Sequence, residues 1–87
     1  QYNLGALLEK LGQAEQAEAI YSGLLKKKGD WQEVWFRVGY LRLERADTRG
    51  AIEAFQECLR LKPDWFEAHL NLGLAYWRGG DRDRAAE

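Results

Sequence analysis

The sequence predicts an all-α solenoid of antiparallel helix pairs, and three observations predict it. The chain repeats itself with a period of 34: Gly5, Gly39 and Gly73 fall on that step, and so do Ala17, Ala51 and Ala85. The same step carries Leu25 to Leu59, Lys28 to Lys62, Asp30 to Asp64, Trp31 to Trp65, Glu33 to Glu67 and the aromatic pair Tyr21 and Phe55. Self-similarity at a period of about 20–50 residues is the mark of stacked supersecondary units. Within each period the apolar residues recur at steps of three and four, as in Trp35, Val38, Leu41 and in Ile52, Phe55, Leu59. That spacing puts them on one face of a helix, and strand alternation appears nowhere.

Taken in chain order, the first helix is expected over 1–11 and is stopped by Gly12, which suits the left-handed residue after a helix. The second runs over 13–27, with Gly29 in the same stopping role. The third, 31–45, opens after Asp30, whose carboxylate can accept from orphan N–H groups, with Glu33 three residues on as its capping-box partner. Asp47 offers the same service to a fourth helix over 48–61, which Pro63 cannot extend. Asp64 and Glu67 open the fifth, 65–78, which ends at Gly79-Gly80, and Asp81 precedes a sixth from 82 onward. Two antiparallel helices approach closely only where one side chain is nearly absent, which is the service of the Gly and Ala ladders. Tyr21 and Phe55 then fill the space between one pair and the next, so that the pairs stack.

These residues resemble the tetratricopeptide repeat, with its period of 34 and its pattern of Trp, Leu-Gly, Tyr, Ala, Phe and Pro. The second repeat carries Trp35, Val38-Gly39, Ala51, Phe55 and Pro63; the third Asn71-Leu72-Gly73, Tyr76, Gly80 and Ala85; the first Leu4-Gly5, Gly12, Ala17 and Tyr21. Four positions depart from the pattern. Arg42 replaces the usual aromatic, His69 stands where Trp35 stands one repeat earlier, Ala46 replaces a glycine and Gly29 a proline. The resemblance implies one right-handed array over 1–87 of about two and a half repeats, at about 1–31, 32–65 and 66–87, cut at both ends. It also implies a protein-binding scaffold and not an enzyme. With no methionine, and with Gln1 inside a predicted helix, the natural start and any signal peptide are expected outside this window.

Composition narrows the function further. Thirteen basic against fourteen acidic residues give a net charge of −1, without the positive excess that phosphate neutralisation needs, so nucleic acid is not an expected partner. The stretch from Leu70 to Trp77 is the longest uncharged apolar run and is far too short to cross a bilayer, so no membrane insertion is expected. A single cysteine, Cys58, can build neither an internal disulfide nor a thiolate metal site, and it leaves the redox compartment open. Cys58 reads as a buried inert thiol where such repeats carry a small residue, and His69, the only histidine, as a packing residue between helices. Asp81 and Asp83 read as helix-start residues, and Lys26-Lys27-Lys28 as a solvated helix end favoured by the helix dipole. Glu53, Glu57 and Arg60 read as a wet convex face. No catalytic, cofactor or metal residues are therefore assigned.

The first helix of each repeat leaves a stripe that, by the resemblance, lines a concave groove. For repeat one it holds Tyr2, Asn3, Ala6, Glu9 and Lys10; for repeat two Glu33, Phe36, Arg37, Tyr40, Leu43 and Glu44; for repeat three Glu67, Leu70, Asn71, Leu74, Trp77 and Arg78. Phe36, Tyr40, Leu43, Leu70, Leu74 and Trp77 would form one apolar patch of the kind that marks an interaction site. Either a partner peptide or helix occupies it, or a flanking helix or a second copy of the chain covers it through the exposed repeat ends. The carboxylate clamp of the family's chaperone-tail-binding branch is effectively absent, because its places hold Tyr2, Ala6, Arg37, Glu67 and Asn71. Asn3, Arg37 and Asn71 instead share one phase, like the asparagine ladders with which some such arrays hold a peptide backbone.

Overall fold

The computed structural model describes residues 2–79, which form five helices and no strand: α1 (Tyr2–Lys10), α2 (Ala14–Lys27), α3 (Gln32–Glu44), α4 (Thr48–Leu61) and α5 (Phe66–Arg78). The expected sixth helix, with Asp81, Asp83 and Ala85, lies outside the described residues. Each helix packs on its chain neighbours, and α3 also touches α5. The molecule measures 41 × 26 × 19 Å. A helix of 14 residues is only about 21 Å long, so the long axis runs across the helices, as stacking requires.

Two kinds of turn alternate, each recurring once per repeat. Within a pair, Gly12 N–H donates to Glu9 O (3.0 Å) and Gln13 N–H to Leu8 O (2.9 Å); Ala46 N–H to Leu43 O (3.1 Å) and Asp47 N–H to Arg42 O (2.8 Å) repeat the arrangement. This is the Schellman closure, with a left-handed residue after the helix, at Gly12 (φ 78°) and Ala46 (φ 68°). Between pairs, the chain leaves the helix through an extended residue, Lys28 (φ −142°) or Lys62 (φ −140°). Gly29 therefore does not stop α2 in the left-handed conformation that its residue type suggested.

The expected caps need correction at α3 and α5. Both helices start one residue later than foreseen, so the N-cap residues are Trp31 and Trp65, neither of which makes a side-chain cap, and Asp30 and Asp64 sit one position too early. Glu33 and Glu67 accept instead from the indole N–H groups of Trp31 (3.4 Å) and Trp65 (3.3 Å). A second ring closes each turn: Trp35 Nε1 donates to Gly29 O, and His69 Nε2 stands equally close to Pro63 O, both at 2.7 Å. Because a carbonyl only accepts, His69 carries its proton on Nε2. It is exposed and braces a turn; it does not pack between helices. Asp47 does cap, accepting from Gly50 N–H at 3.2 Å.

The core is two clusters in series. Ala17, Tyr21, Val34, Val38, Leu41 and Ala54 join α2, α3 and α4, while Leu43, Ala51, Phe55 and Ala75 join α3, α4 and α5. A Cβ on Gly5 would stand 2.5 Å from the Tyr21 ring, and one on Gly39 2.8 Å from the Phe55 ring. The two aromatic rings thus fill the space inside a pair as well as the space between pairs. Around Gly73 nothing among the described residues lies within 4 Å. Arg42, in the place of an aromatic, donates from Nε to Glu18 (2.8 Å) and from Nη1 to Gly50 O (3.2 Å), and Arg45 joins the same carboxylate at 3.0 Å. The buried Glu18 is thereby paired twice, which offsets the desolvation an isolated carboxylate would suffer.

Candidate peptide-binding groove

The stripe assigned from the sequence divides into three groups once packing is known. Tyr2 and Phe36 belong to aromatic junctions that recur from one repeat to the next. Tyr2 stacks on Trp31 (5.5 Å, 23°) and tilts against Tyr21 (5.8 Å); Phe36 stacks on Trp65 (4.7 Å, 16°) and meets Phe55 edge-on (5.8 Å, 65°). Each junction ties the first helix of a pair to its own second helix and to the tryptophan that opens the next pair. These two rings are half-buried and serve the stack, contrary to the expectation that Phe36 is not needed for packing.

Leu43 requires an outright correction. It is only 4% exposed and belongs to the core cluster with Ala51, Phe55 and Ala75, because α5 lies against the end of α3 and covers it. Its position, read as groove from the stripe alone, at most floors a cleft also lined by Glu44, Ala46, Thr48, Trp77 and Arg78.

The remaining positions are open to solvent. Tyr40 on α3 is 39% exposed, and Leu74, its counterpart in the next repeat, is 37% exposed on α5; Leu70 and Trp77 are 61% and 59% exposed. The charge of the Glu44 carboxylate, one turn on, raises the Tyr40 phenol pKa. Asn3 is exposed and Asn71 half-buried. Arg37, between them in the ladder, is not free to hold a peptide backbone as the ladder supposes. It pairs with Glu9 (3.6 Å), and Tyr2 followed by that carboxylate holds its guanidinium pKa above the usual value. Glu9 also accepts from the buried Tyr21 hydroxyl, and burial followed by that carboxylate pushes the Tyr21 pKa up. Glu9, Arg37, Tyr2 and Tyr21 therefore form one polar seam between α1, α2 and α3.

Tyr2, Glu33, Phe36 and Arg37 are brought together with Trp65 and Glu67 around a cleft of about 300 Å³. Trp65 was absent from the sequence assignment, although its match to Trp31 one repeat earlier marked the position as recurring. Glu18 and its two arginines were also missed, since partners on different helices, far apart in the chain, follow no helical spacing.

Burial pushes the Cys58 thiol up to about 11, leaving little thiolate at neutral pH. Lys28 lies 5.8 Å over the Trp31 ring, at the end of the lysine run. No helix among the described residues is long and apolar enough to cross a membrane.

Comparison with known families returns two matches along the chain. One family model, described as Tetratricopeptide repeat, matches residues 1–27, and another, described as TPR repeat, matches residues 39–80.

Proposed function

Because this chain belongs to the tetratricopeptide repeat family, whose repeats mediate protein–protein interaction, we propose that the face built by α1, α3 and α5 receives a peptide or a helix of a partner protein. The observation that carries this reading is the exposure of Tyr40 and Leu74, equivalent residues on touching helices, neither of which joins a core cluster. Exposed aromatic and aliphatic side chains on adjacent elements are what a binding hot spot is made of. Members of this family are typically non-catalytic scaffolds, and we propose the same here: the histidine is spent on a turn and the cysteine is buried.

The test is a random linear-peptide display library panned on the protein, with the recovered peptides titrated against variants. Tyr40→Ala or Leu74→Ala should lower affinity by about 2 kcal/mol at a hot spot while the melting curve moves little. Asn71→Ala should cost about 1 kcal/mol through lost backbone hydrogen bonding. Peptides that bind all three variants as tightly as the original chain would place recognition elsewhere.

A second reading, self-association, is favoured by a separate observation. Leu70 occupies the phase at which Phe36 is covered by the following pair. A second copy of the chain would cover the same place on α5.

A further inference from the structure

One part of the proposed groove has a chemistry that specifies what enters it. The cleft of about 300 Å³ lies at the N-terminal ends of α3 and α5 and has an aromatic wall, the stacked rings of Phe36 and Trp65. Glu33 and Glu67 flank that wall, both exposed. Each is restrained by an indole N–H, from Trp31 and Trp65 respectively, which orients the carboxylate without neutralising it. Among the described residues neither forms an ion pair. The one cation lining the cleft, Arg37, is already paired with Glu9. The cleft therefore presents, beside a π surface, two carboxylates that form no ion pair among the described residues.

We propose that this cleft takes the guanidinium of an arginine carried by the partner peptide, stacked on the Phe36–Trp65 wall and paired with Glu33 and Glu67. The proposal rests on the groove reading above and names the chemistry of its ligand. Arginine fits better than lysine, because a planar, weakly hydrated guanidinium can stack on an aromatic face and still offer forked donors to carboxylates, whereas an ammonium is a compact hydrated point charge. Tyr40 lies one helical turn beyond Phe36, a distance of about 6 Å, and two residues of extended chain span about the same length. The ligand thus carries its arginine two residues from an apolar side chain that reaches Tyr40 and Leu74.

Two tripeptide probes test this, acetyl-Leu-Gly-Arg-amide and acetyl-Arg-Gly-Leu-amide, each beside analogues with citrulline or lysine in place of arginine. Binding is followed by NMR through the indole N–H resonances of Trp31 and Trp65, which report directly on Glu33 and Glu67. At least one arginine probe should shift the Trp65 resonance saturably, with citrulline, lysine and the Glu33→Gln/Glu67→Gln variant each weakening binding about tenfold or more, as loss of a charge-assisted forked pair implies. Equal binding of the citrulline or lysine probe overturns the proposal, as does the absence of any saturable shift. The citrulline comparison needs no variant, so it stands even if the double substitution disturbs folding. Library peptides that lose affinity with Tyr40→Ala, lack arginine and ignore Glu67→Gln would overturn this inference while leaving the groove reading intact. Library peptides indifferent to Tyr40 and Leu74 would remove both.

Discussion

At Ala46 the chain adopts φ 68°, where a Cβ crowds the backbone at a cost of about 1–2 kcal/mol, while its equivalent, Gly12, makes the same turn at φ 78° without one. Ala46→Gly relieves that strain and gives back about 0.4–1 kcal/mol through a freer unfolded chain, so the net gain should be about 0.5–1 kcal/mol. Urea melts with an unchanged slope and a higher midpoint would show it; a lower midpoint would contradict the strain assigned here. This residue was legible in the sequence, since the repeat register puts Ala46 where a glycine is expected. The caps were not, because Asp30 with Glu33 satisfies the capping-box spacing only if the helix starts at residue 31, and Trp31 instead takes the cap position itself. Leu43 was illegible for a related reason. A stripe on one helix shows what faces away from its partner, not what a third helix crossing its last turn will cover.

Among the elements, the pairs close on glycine. Replacing a mid-helix glycine with alanine contributes about 1 kcal/mol of helix propensity, so the sign of the outcome depends on what the added methyl meets. At Gly39 it meets the fully buried Phe55 ring at 2.8 Å, and overpacking of this kind costs about 1–3 kcal/mol. At Gly73 it meets nothing among the described residues within 4 Å. Gly39→Ala should therefore be neutral to destabilising, Gly39→Leu destabilising by about 1–3 kcal/mol or more, and Gly73→Ala stabilising by about 1 kcal/mol. Thermal melts of the three variants check the ordering, and a Gly39→Leu protein that melts with the original chain would refute the helix register. The sequence located the helices well because the evidence for them recurs: α4 spans the expected 48–61, and α2 and α5 each start one residue late. It could not distinguish Gly73 from Gly39, which share a phase and differ, among the described residues, in whether an aromatic ring lies opposite.

On the scale of the molecule, the described residues cover the middle of the stack more fully than its two outer helices. Val38 and Leu41 are buried in the first core cluster, yet their counterparts on α1, Leu4 and Leu7, are exposed, as Leu70 on α5 is where Phe36 is packed. Apolar side chains at phases that the interior repeat buries favour association of copies, and different surfaces at the two ends favour a head-to-tail contact, which need not close. Sedimentation should then show a mass that rises with protein concentration. Leu70→Glu and Leu7→Glu each disable one end, so each variant alone should stay monomeric while their mixture forms a dimer and nothing larger, through the α5 face of one and the α1 face of the other. An isologous α5–α5 contact gives a different pattern: Leu7→Glu would still dimerise alone and the mixture would gain nothing. If the unmodified chain stays monomeric at every accessible concentration, self-association is excluded and the exposed faces belong to a flanking helix or to a different protein. In that case the groove peptides should bind with the same affinity at all concentrations of the chain, whereas a self-associating chain that covers Leu70 and Leu74 would bind them more weakly as it assembles.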